Sequence, residues 1–106
     1  MRRLLPAGRG EPVLEHFDPG TQRAILRLYR SSAPEVLAAA GRELASISAP
    51  ALVLHGARDR YIPARFADGL AAALGDGRVE HVDGAGHWPW LDRPELVGRI
   101  ADFLAE

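Results

Sequence analysis

Cysteine is absent from the 106 residues. Its absence excludes disulfides, thiolate zinc sites and a Cys nucleophile within the chain, and leaves the compartment undecided. An excess of charge of one sign is also missing. The 13 basic and 14 acidic residues are scattered and leave a net charge of −1, so there is no electrostatic footprint for nucleic acid or an anionic membrane. Long apolar runs are lacking too. After Arg2 and Arg3, Leu4-Leu5 meets Pro6-Ala7-Gly8-Arg9-Gly10 at once, which removes the apolar stretch a signal peptide needs. No run approaches transmembrane length, and a cytoplasmic location is the default expectation. What is present, 47% hydrophobic and 25% charged residues, is the balance of a soluble globular domain with the length of one ordinary domain.

Residues 1–15, rich in Gly, Pro and Arg, show neither helical nor strand periodicity and read as an irregular N-terminal tail. Asp18-Pro19 then offers an N-cap followed by a proline at the first helical position, and Ala24, Ile25, Leu28 and Tyr29 share one helical face. That helix is expected to stop near Ser31. Ser32 and Glu35 have capping-box spacing, with Val36, Leu37, Ala40 and Leu44 as the stripe of a second helix. The character then changes. Ala51-Leu52-Val53-Leu54 is continuously apolar, the pattern of a parallel strand covered on both faces. Ile62, Phe66, Leu70 and Leu74 predict a helix ended by Gly75-Asp76-Gly77, and Val79–Val82 predicts a second strand. A last helix from Asp92, with Pro94 and Glu95 in its first turn, should bury Leu96, Val97, Ile100, Phe103 and Leu104. The expected class is α/β, in the order ααβαβα with two parallel strands.

Chemistry is expected in the two loops that leave these strands, because open parallel sheets gather ligands outside the carboxyl ends of their strands. The first loop runs His55-Gly56-Ala57-Arg58-Asp59-Arg60-Tyr61-Ile62-Pro63, the second Asp83-Gly84-Ala85-Gly86-His87-Trp88-Pro89-Trp90. A strand followed by Gly-x-x-Asp, then Gly-x-Gly-His-Trp and a closing helix, resembles the last two strands of α/β-hydrolases. The resemblance covers Ile47 to Leu104, and the Ala-rich helices before it resemble the end of the variable cap of such enzymes. It implies a helical cap remnant at 16–46 and a C-terminal βαβα part of the hydrolase domain at 47–106.

In that family the acid precedes the histidine, so the resemblance implies Asp59 as catalytic acid and His87 as catalytic base. An imidazole can accept and return a proton near neutrality, and a carboxylate on its other nitrogen fixes the tautomer and stabilises the imidazolium. One βαβ crossover can bring the two together across 28 residues. Gly84 and Gly86 would let the second loop aim His87 inward. His55 reads as structural, Trp88 and Trp90 as packing for the last helix, and Tyr61 and Phe66 as core or loop packing. His55, Asp59, His81, Asp83 and His87 can be drawn as a metal cluster, but without a helix-borne His pair or a cysteine no metal is expected, and no cofactor either.

One family feature is missing. The chain contains no Gly-x-Ser-x-Gly elbow, and Ser31, Ser32, Ser46 and Ser48 read as caps and turns, so no nucleophile is assigned. The chain is therefore expected to be a C-terminal fragment of a hydrolase, inactive alone, acting on a small-molecule substrate as part of a full-length family member. The alternatives are one half of a split hydrolase, completed by a missing N-terminal half, and a non-catalytic interaction module that binds or self-associates through an exposed sheet edge. A freestanding catalyst with a water activated by His87 and Asp59 ranks below these, since no oxyanion site is visible.

Overall fold

The computed structural model describes residues 14–106. Of the tail expected over 1–15, only Leu14 and Glu15 fall within them, and both are helical, with Phe17 N–H donating to the Leu14 carbonyl at 3.1 Å. A first compact unit ends at Leu44, and a second runs from Ala45 to Glu106.

The first unit holds α1 (Pro19–Ser31) and α2 (Pro34–Arg42). Helix α1 begins as its sequence predicts. Asp18 Oδ1 accepts from the Thr21 amide at 2.7 Å, and Pro19 supplies a preset φ where no amide is needed. The predicted capping box of α2 does not form. The hydroxyls of Ser31 and Ser32 donate back to the Leu28 carbonyl at 2.9 and 2.7 Å, so the N-cap falls on Ala33 without a side-chain bond. Local back-bonding at the end of one helix has outcompeted capping of the next. The stripe of α1 exists as drawn, whereas α2 ends before Leu44, which falls in a 3-10 turn, and Leu28, Tyr29, Val36 and Leu37 are exposed.

The second unit, after a 3-10 turn over Glu43–Ser46, consists of β1 (Ala51–Gly56), α3 (Ala64–Ala73), β2 (Gly77–Val82), α4 (Pro89–Asp92) and α5 (Leu96–Ala105). The strands pair in parallel, from Ala51 opposite Gly77 to Gly56 opposite Val82. Each is two residues longer than predicted, because His55-Gly56 and Gly77-Arg78 also join the ladder. Successive residues of a strand face opposite sides: His81 meets Asp68 of α3, and Glu80 meets Arg99 of α5, so the sheet lies between two helical layers.

The predicted last helix is broken in two. Asp92 ends α4 rather than starting α5, and its carboxylate accepts from the Gly86 amide at 2.8 Å, which holds α4 against the second loop. In α5, Leu96 is buried and Ile100 and Phe103 are partly covered, but Val97 and Leu104 are exposed, contrary to the expectation. Among the described residues, the buried hydrophobic side chains are Ala67, Ala71, Ala85 and Leu96, Pro89 of α4 is buried too, and no large side chain is fully buried.

Candidate active site

The two loops are pinned to each other before any side chain acts. Ala57 N–H donates to the Val82 carbonyl at 3.0 Å, Arg58 N–H to the Ala85 carbonyl at 2.8 Å, and Asp59 N–H back to Gly56 at 2.9 Å. Such close approach requires glycine at position 56. A Cβ there would lie 2.0 Å from the Gly86 oxygen and 2.6 Å from that of Ala85, well inside van der Waals contact. Gly84 turns the second loop with φ +75°, a left-handed conformation that a side chain resists. Gly86 donates its amide to Asp92 at 2.8 Å. Arg93 Nη1 donates to the Asp83 carbonyl at 2.8 Å and braces the loop from the far side.

This frame brings the predicted pair together. His87 Nδ1 lies 2.9 Å from Asp59 Oδ2, while Asp59 Oδ1 accepts from the amides of Tyr61 and Ile62 at 2.8 and 3.0 Å. The Asp59 side chain is 5% exposed and that of His87 27%. Burial by itself raises the Asp59 carboxyl. The Ile62 amide, the His87 ring bond, the Tyr61 amide and the His87 charge together outweigh it, and hold the group below its ordinary range. An ionised Asp59 can only accept, so His87 Nδ1 is the donor and, in the neutral ring, Nε2 carries the lone pair. The imidazole is also fenced edge-on by Tyr61 and Trp88, with ring centroids 5.5 and 5.2 Å away.

His87 and Asp59 border an open cavity of about 310 Å³, whose apolar wall includes Val53, Ile62, Phe66 and Leu70. Phe66, expected only to pack, lines this space, whereas neither tryptophan does; Trp88 and Trp90 meet edge to face at 5.6 Å. The arrangement can hold a basic nitrogen of fixed tautomer at the rim of an apolar hollow. Among the described residues no group of three or more His, Asp or Glu side chains could hold a metal ion. His55 and His81 bond to each other at 3.0 Å instead of joining Asp59 and His87.

Residues 2–100 match the family described as alpha/beta hydrolase. The chain belongs to the alpha/beta hydrolase family. Among its relatives, a 2-hydroxymuconate semialdehyde hydrolase of Pseudomonas putida is 27% identical over 92 residues, 83% of this chain and 33% of the relative. A pimeloyl-[acyl-carrier protein] methyl ester esterase of Aromatoleum aromaticum is 38% identical over 52 residues, 49% of this chain and 21% of the relative. A 2-hydroxy-6-oxononadienedioate/2-hydroxy-6-oxononatrienedioate hydrolase of Paraburkholderia xenovorans is 33% identical over 66 residues, 61% of this chain and 23% of the relative. The chain thus spans between a fifth and a third of the length of these relatives. No solved structure gives a significant match. In this alpha/beta hydrolase chain, the contributions not foreseen from sequence are the close approach of the loops at Gly56, the Tyr61 and Ile62 amides, and the Asp92 carboxylate. Gly56 itself stands in the Gly-x-x-Asp motif, closing an apolar strand just before Asp59. The amides carry no residue-type signal at all.

Proposed function

We propose that the chain supplies the acid and base of a nucleophile–His–Asp triad that hydrolyses an ester-like or other small-molecule bond. His87 Nε2 takes the proton of a nucleophile and returns it to the leaving group, while Asp59 holds the ring and stabilises the imidazolium between the two steps. The observation that carries the reading is the 2.9 Å bond from His87 Nδ1 to a nearly buried Asp59, with both residues at the rim of an apolar cavity. The 106 residues contain no Gly-x-Ser-x-Gly elbow. On this reading they act as the C-terminal part of a hydrolase, and alone leave an activated ester unhydrolysed. Helices α1 and α2 are the end of a cap, over residues 16–46.

Grafting residues 45–106 in place of the matching C-terminal part of the Pseudomonas putida hydrolase tests this directly. The graft should hydrolyse an activated ester and lose turnover on His87→Ala, with kcat lower by on the order of 10⁴-fold on Asp59→Asn. A folded but inactive graft, or one indifferent to His87→Ala, would count against the proposal. A second reading, an interaction module, draws support from exposed Ile62, Phe66 and Leu70 beside the open strand β1. It expects association unchanged by either substitution.

A further inference from the structure

Behind the acid loop runs a line of polar groups that the Asp59–His87 pair does not use. His55, near the end of β1 and 6% exposed, places Nε2 2.7 Å from the Ile62 carbonyl oxygen. Its Nδ1 lies 3.0 Å from Nδ1 of His81, its register partner on β2. Nε2 of His81 in turn lies 2.7 Å from Oδ1 of Asp68 on α3. Both ends of this line are acceptors, a carbonyl at one and a carboxylate in contact with water at the other.

Proton counting decides its state. Three bridges between two acceptor-only ends need three N–H groups, and two neutral imidazoles carry only two. The complete line therefore contains one imidazolium. It belongs on His81, which touches the Asp68 carboxylate and is partly exposed, while His55 is buried and has only neutral partners apart from His81. His55 is then the neutral Nε2–H tautomer: Nε2 donates to Ile62 and Nδ1 accepts from His81. Other charges on the surrounding elements are turned elsewhere. Arg65 of α3 lies 4.7 Å over the Phe66 ring, and Glu80, next to His81 on β2, faces the opposite layer and pairs with Arg99. On β1 the only titratable side chain is His55 itself.

The geometry points to a proton-dependent clamp in which His55 is a positioning residue for the acid loop. With His81 protonated, His55 holds the carbonyl of Ile62, the residue whose own amide donates to Asp59. Residue 62 is thereby fixed from both sides, and the Asp59 carboxylate is aimed at His87. With two N–H groups instead of three, one of the bridges must break and the clamp loosens. The inference rests on the reading of Asp59 as the acid of a triad.

Imidazole nitrogen NMR on the full chain, labelled with ¹⁵N-histidine and recorded under magic-angle spinning so that self-association does not hide signals, tests it. The four histidines are assigned by single substitutions, His16→Gln and His87→Gln first. With all three bridges formed, His81 should show two protonated nitrogens and His55 a single N–H at Nε2. A Nδ1–H tautomer at His55 would overturn the clamp. Asp68→Asn should shift the His87 Nδ1–H resonance upfield, and Asp68→Glu should restore it. An unmoved His87 resonance in Asp68→Asn would overturn the positioning role. None of these signals requires His87 to act on substrate. An inactive graft with the nitrogen pattern intact removes the proposed reaction and spares the clamp; an active graft with the pattern reversed does the opposite.

Discussion

Asp59 collects three hydrogen bonds on two oxygens, and each favours its charged form against the burial that opposes it. Its folded pKa is therefore depressed. A depressed carboxylate contributes stability that is fully present above the unfolded value and is lost as pH falls through the folded one. Wild-type chain should accordingly lose urea resistance between about pH 5 and pH 2, and Asp59→Asn should flatten that acid limb while lowering the plateau above it. Urea midpoints measured across the range check both features, and parallel curves would show that Asp59 is not the group responsible. Gly56 carries the second consequence at this scale. Gly56→Ala puts a methyl group 2.0 Å from the Gly86 oxygen, and neither backbone can yield without parting the loops that join Asp59 to His87. A loss of about 2 kcal/mol or more is expected from equilibrium unfolding, with the His87 ring signal displaced.

Elements were most legible where one residue type has only one local use. Asp18-Pro19 starts α1 because the carboxylate caps the Thr21 amide and proline fits the first helical position. That amide, the largest influence on Asp18, lowers its carboxyl, so helix content of a peptide spanning residues 14–32 should fall on acidification through the carboxylate range, and on Asp18→Ala at neutral pH. Circular dichroism reads both, and a pH-independent signal would remove the cap from the account. Where residues have several uses, the pattern misleads. Ser32 with Glu35 has the spacing of a capping box, but its hydroxyl finds the Leu28 carbonyl first. Asp92 has the look of an N-cap, but the Gly86 amide claims it and splits the last helix. The βαβ unit and the two loops were legible because apolar runs end abruptly in glycine. Loop-to-loop amide bonds were not, since any residue but proline can make them. Gly84, by contrast, follows a rule of backbone shape. Gly84→Ala should cost about 1 kcal/mol and Gly84→Asn less, because asparagine tolerates the left-handed region better.

At the scale of the whole molecule, the periodicities say which side chains seek burial but not what covers them. Val36, Leu37, Phe66, Leu70, Val97 and Leu104 sit on the faces their spacing predicts and remain exposed, while among the described residues the buried hydrophobic set is three alanines and one leucine. Among the described residues the sheet has two strands, and a two-stranded sheet is marginal in water. An open strand edge also presents unpaired amides and carbonyls to any neighbour. Apolar area and edge together favour association over a dilute monomer, because a second copy can bury both without new residues. Sedimentation velocity should therefore show a weight-average mass that rises with concentration. Phe66→Lys together with Leu70→Lys should lower it, since charge on the exposed face of α3 opposes burial there while leaving the Asp59–His87 bond untouched. A concentration-independent monomer that melts in one cooperative step would mean that the small core suffices, and that the exposed faces are not where this chain finds its stability.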